Sequence, residues 1–234
     1  MKKDLTNFAY SDEYIKIKEK IIALAFHPAN KKAEKEKNEG NLKRIITEYR
    51  IECDDKKYFC SNNIVYDEDN NYIFEYFNLY HHPFFCNKIM YSNGSEYIFY
   101  KMNLYGYSAF EIKTKKTFEY LPKCSFIENG SESFIGTDIH FNSKNNIFAV
   151  GGCYWACPTD TFLLKINNPM KQFEAYLNIH TIIDRDYEKY EDIDFIEWEN
   201  KDIKLKCYNV ESKPNKNETI IIKENDYIEK MIKI

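Results

Sequence analysis

The residues in this chain that could do chemistry are mostly Cys, Tyr and His, and they gather in a few short runs. The sharpest is Gly151 to Pro158, GGCYWACP, in which three residues separate Cys153 from Cys157. Structural zinc sites use such spacings but need four ligands, and the only further donors to hand are His81, His82, His140 and Cys207. Cys153, Cys157 and Cys207 are therefore weak metal candidates, two inert buried thiols are the plainer reading, and no cofactor is expected. A Cys nucleophile needs a neighbouring base. Cys157 with His140 or His180 would supply the residue types, although nothing in the sequence places them together. Asp67-Glu68-Asp69-Asn70-Asn71 has the look of a calcium loop but lacks its Gly and its final Glu, so it reads as an acidic hairpin turn. There is no phosphate-cradling Gly-rich loop, no Gly-x-Ser-x-Gly elbow and no His-Glu-x-x-His.

The elements that must position these residues show themselves as internal repetition. Ile64 to Tyr80, IVYDEDNNYIFEYFNLY, aligns without a gap on Ile89 to Tyr105, IMYSNGSEYIFYKMNLY. A third copy begins at Ile139 and a fourth, looser one at Ile193. Each has a short alternating strand, a turn of Asn, Asp, Ser or Gly, and a more apolar second strand, which is the signature of a β-hairpin. Further strand pairs lie between copies, at Ser108 to Lys113 with Thr117 to Leu121 and at Thr161 to Ile166 with Gln172 to Leu177. The expected fold is all-β: one domain over 1–234, an irregular β-propeller-like meander of repeated antiparallel hairpins starting near 64, 89, 139 and 193, or alternatively a β-sandwich. Residues 1–58 are expected to add one or two strands at 13–26 and a strand at 43–53, with 29–41 as an exposed loop or, at most, one short helix.

Composition agrees with strands and limits partners. Aromatics are 17% of the 234 residues, with 20 Tyr and 17 Phe, and such side chains suit pleated, half-buried surfaces. Thirty-three Lys and Arg against 37 Asp and Glu give a net charge of −4 with no basic field, so nucleic acid is not an expected partner. An odd count of seven Cys, no apolar leader and no run of about 20 apolar residues fit a cytoplasmic protein with reduced thiols and no membrane span.

The stretch Asp138 to Val150 resembles the strand–turn–strand hairpin of WD-repeat and related β-propellers, though its turn lacks Pro and the WD dipeptide is absent. That resemblance, over roughly residues 60–225, implies a fold and no function. Asn103 to Ser108, Glu132 to Ile135 and the GCYWACP run look like signatures of a group of bacterial proteins with no established activity, so that likeness carries no residue role with it.

In the repeat alignment the loops after the second strands all carry Tyr. They supply the candidate partner-binding rim: Tyr80, His81, His82, Tyr105, Tyr107, Tyr154, Trp155 and Tyr208. Tyr and Trp give large contact area at small entropic cost and dominate binding hot spots. The expected function is a non-enzymatic protein-binding module. An immunity-type inhibitor fits its small size, acidic balance and lack of a catalytic motif. The alternative is an enzyme with its site on the same rim.

Overall fold

A computed structural model describes residues 4–53, 56–80, 85–125, 133–155, 157–184, 188–214 and 216–234. His81 and His82 lie outside the described residues. The fold is all-β, built of consecutive antiparallel meanders. The first sheet runs β1 (Lys31–Glu39), β2 (Leu42–Cys53), β3 (Lys56–Asp67) and β4 (Tyr72–Asn78). The second runs β5 (Cys86–Met90), β6 (Glu96–Tyr100), β7 (Tyr107–Glu111) and β8 (Lys116–Tyr120). The third takes β9 (Ile135–Gly136), β10 (His140–Asn142), β11 (Ile147–Cys153), β12 (Thr159–Lys165) and β13 (Ala175–Asn178). A fourth follows in β14 (Tyr190–Glu199), β15 (Asp202–Asn209) and β16 (Lys216–Ile222), and the short β17 (Ile232–Lys233) returns to pair with β13.

All four sequence copies are hairpins: β3–β4, β5–β6, β10–β11 and β14–β15. Each turn holds one residue in the left-handed region, Asn70, Gly94, Asn146 and Asn200, with φ of 64°, 78°, 56° and 60°. Asn and Gly adopt that conformation at least cost, which is why they mark the turns. The first copy closes its sheet whereas the other three open theirs. A sheet boundary between the first and second copies explains their short spacing.

Contacts group the chain into two compact units, one of residues 1–89 and 95–133, the other of 90–94 and 134–234. In the first, the first two sheets pack through Val65, Phe74 and Tyr76 against Ile98, Tyr100 and Phe110, with the Phe74 and Phe110 rings stacked at 4.3 Å. In the second, Ile147, Ala149 and Leu163 meet Ile193, Ile203 and Leu205. Burial of these side chains is the main stabilising contribution, about 1.5–3 kcal/mol for each large one.

Two expectations for the N-terminal region are corrected. Residues 13–26 form no strand; Asp12–Ala25 is a helix, α1, in the first unit. Ser11 caps it, its Oγ accepting from Tyr14 N at 3.2 Å, and Asp12 and Glu13 sit favourably in its first turn. Its buried face is Tyr14, Ile21 and Ala25. Residues 29–41 hold no α-helix: after one 3₁₀ turn, Pro28–Asn30, the chain enters β1. Eight of the nine β1 residues are exposed, and Lys-rich charge on such an edge discourages pairing with other chains. Among the described residues no helix is long and apolar enough to cross a membrane.

Candidate functional site

The GGCYWACP run spans the end of β11 and the turn into β12, and its second glycine sits where neighbouring backbone comes too close for a side chain. Gly151 N donates to Asp138 Oδ1 at 2.9 Å, and a Cβ on Gly151 would lie 2.3 Å from that same oxygen. A Cβ on Gly152 would lie 2.1 Å from the Ile135 carbonyl, where β9 pairs with β11. Beyond them Cys153 pairs with Thr159, and Cys157 N donates to Tyr154 O at 3.1 Å to close the turn. The Tyr154 ring meets Phe134 edge-on at 5.6 Å. On the other side Asp192 Oδ1 accepts from Thr159 N at 2.8 Å, and the Thr159 hydroxyl lies 3.0 and 2.9 Å from Asp192 and Asp194. The hairpin is thus braced from both sides, while Trp155 at its tip is 58% exposed.

Below the turn is a cleft of about 530 Å³ lined by Tyr154, Cys157, Pro158, Asp160, His180, Tyr190, Glu191 and Val210, all of the second unit. His180, in the short helix α2 (His180–Ile183), and Asp160, in β12, are 2% and 6% exposed, with Nδ1 3.2 Å from Asp160 Oδ1. His180 Nε2 lies 3.1 Å from the Tyr190 carbonyl. A carbonyl only accepts, so Nε2 carries a proton, and a carboxylate beside Nδ1 favours a second one there. Burial pushes the His180 pKa down, but the bonds to Asp160 and Tyr190 and the charges of Asp160 and Asp184 outweigh it and hold it above the ordinary value. The surroundings of His180 therefore favour its imidazolium form. Asp184 itself is desolvated, yet backbone N–H groups of Tyr190, Lys189 and Glu188 hold its pKa low.

Each candidate can now be located. Tyr80, Tyr105 and Tyr107 belong to the first unit, and Tyr154, Trp155 and Tyr208 to the second. Tyr80 is 41% exposed and follows a turn in which Asn78 Oδ1 accepts its N–H at 2.7 Å. Tyr105 packs half-buried against the α1 cluster. Tyr107 is 5% exposed, inside β7 among Phe99, Phe118 and Tyr120 rather than on a loop. Tyr208 lies in β15 opposite Asn217. Cys207 is fully buried, and desolvation pushes its thiol up to about 12, so it stays protonated. Cys157 is exposed and Cys153 half-buried. Among the described residues no three His, Cys, Asp or Glu converge as metal ligands.

Cys157 and His180 do line one cleft, which the sequence could not say. Both His180 nitrogens already face acceptors other than the thiol, so the arrangement holds a charge and gives Cys157 no base. His140 is stacked on Phe195 at 4.4 Å and does not line the cleft. Asp160, Tyr190, Glu191 and Val210 were not legible as site residues: they come from β12, β14 and the segment after β15, and no local motif joins them. No protein-family model matches the chain, and no curated protein or solved structure matches it.

Proposed function

We propose that the chain is a non-enzymatic protein-binding module that grips another protein through the Trp155 turn and the cleft below it, in the manner of a small immunity-type inhibitor. The observation that carries this reading is Trp155, 58% exposed at the tip of a braced hairpin. A solvent-facing indole is stabilised by burial, and one carried on a hairpin with braced flanks loses less entropy when a partner covers it. The cleft beside it supplies the concave, mostly apolar surface that anchors need. An enzyme on the same turn is the competing reading. It has the exposed Cys157 thiol in its favour and lacks a free base, because His180 is committed to Asp160 and the Tyr190 carbonyl.

The test is capture from the lysate of the source cell by wild type and by Trp155→Ala, with Tyr72→Ala as a control. Tyr72 is 59% exposed in the first unit. A stoichiometric protein held by wild type and Tyr72→Ala and lost by Trp155→Ala is the expected result. Equal retention by all three would remove the turn from recognition.

A further inference from the structure

The cleft has a chemistry of its own. Asp160 is nine-tenths buried, and its Oδ1 takes both the His180 contact and the Thr161 N–H, the latter at 2.7 Å. Among the described residues no hydrogen bond falls on its Oδ2. Glu191, exposed on the same lining, has no ion pair among the described residues. Among the described residues the neighbouring cations are already matched: His180 by Asp160, and Lys189 by Glu218 at 3.9 Å, with its ammonium 4.7 Å from the Tyr190 ring. Asp184 adds a further negative charge to the His180 surroundings. The balance of the described charges around the cleft is therefore negative, and its remaining described walls include Tyr154, Tyr190, Pro158 and Val210.

We infer that this cleft takes the guanidinium of an arginine side chain on the partner, stacked against tyrosine and paired with Glu191 and the open Asp160 oxygen. This rests on the docking reading above. A guanidinium suits the site better than an ammonium. It is flat, weakly hydrated, stacks on aromatic faces and bonds a carboxylate through a fixed fork. A lysine would bring a compact, strongly hydrated charge into a mostly apolar cleft.

The test uses free side-chain mimics on the whole chain, observed by saturation-transfer NMR: N-acetyl-arginine amide, the lysine analogue, and the neutral isostere N-acetyl-citrulline amide. The arginine amide is expected to bind saturably in the millimolar range, which is the scale for a ligand of its size. The lysine amide should bind more weakly, and citrulline should give no saturable signal. Glu191→Gln, on an exposed position that leaves the fold alone, should weaken arginine binding about threefold, the scale of a solvent-facing pair. Binding of citrulline equal to arginine, or Glu191→Gln binding as tightly as wild type, would overturn the inference. The two readings fail separately. If Trp155→Ala loses the partner while arginine amide shows no saturable binding, docking stands and arginine recognition falls. If Trp155→Ala keeps the partner while arginine amide binds through Glu191, the guanidinium site stands and docking at the turn falls.

Discussion

Replacing Asp160 by Asn keeps the side chain's shape and removes the charge beside His180. At the 3.2 Å separation of the pair, Coulomb's law gives a gross attraction of roughly 5 kcal/mol at an effective dielectric constant of about 20. Much of that offsets the cost of taking two charges out of water. The pH dependence is therefore more informative than the absolute value. In wild type the folded His180 pKa is raised above its ordinary value of 6.5, so its contribution is fully present below that value and is lost as pH rises through the folded pKa. In Asp160→Asn burial acts with far less opposition, the folded pKa falls, and the sign reverses: stability is lost as pH falls. The gap between the two proteins should be about 3–5 kcal/mol at pH near 5, where the variant must bury an unpaired cation or shed its proton. It should shrink to about 1 kcal/mol, one lost hydrogen bond, on the alkaline side. Urea unfolding of both proteins at several pH values reads this as a midpoint difference at constant slope. A gap that stays constant or widens as pH rises would refute the buried imidazolium.

Four further outcomes follow from single sites. Gly152→Ala should cost about 1–3 kcal/mol by thermal unfolding, because its Cβ would overlap the Ile135 carbonyl at 2.1 Å. Gly94→Ala, with positive φ but open space, should cost only the left-handed strain, about 1 kcal/mol. Lys101 is fully buried with Nζ 2.5 Å from the Leu104 carbonyl, and desolvation brings its pKa from 10.5 down to about 7. Unfolding then takes up a proton between those values, so wild-type stability should rise as pH increases from about 7 to 10, and Lys101→Met should flatten that rise. Native alkylation should modify Cys157 first of the seven cysteines, since Cys60, Cys86 and Cys207 are buried with thiols pushed up to about 12. Mass spectrometry finding Cys207 labelled alongside Cys157 would contradict the described burial.

What the sequence disclosed, and what it hid, follows from which forces act locally. The hairpins were legible because alternation and Asn or Gly turns are local features, and each of the four expected copies is a strand–turn–strand. The α1 segment was misread because Tyr14-Ile15-Lys16-Ile17-Lys18 alternates like a strand. The competing signals were the Ser11 cap and the spacing of Tyr14, Ile21 and Ala25, which places them on one helical face. β1 was hidden for the opposite reason. It buries almost nothing, so it has no apolar pattern, and cross-strand pairs such as Lys43–Glu36 and Arg44–Glu39 depend on a neighbour the local sequence does not show.

The binding residues divide in the same way. Trp155 stood out by type and by the flanking glycines and cysteines, and it is exposed. Tyr107 looked equivalent in the repeat alignment yet points into a ring cluster, because the alignment assigns loop position and not facing. The Asp160–His180 pair joins residues 20 apart through β12 and α2. Only the folded hairpins bring them together, so spacing alone could not mark them as one site.

The most direct measurement of the central claim is the alkylation rate of Cys157 with and without the captured partner bound, at one reagent concentration. Cys157 is the exposed thiol that lines the cleft beside Trp155. Docking at the turn covers it, so the bound protein should react at least tenfold more slowly than the free one. An unchanged Cys157 rate in a stoichiometric complex would place the partner elsewhere and contradict the account.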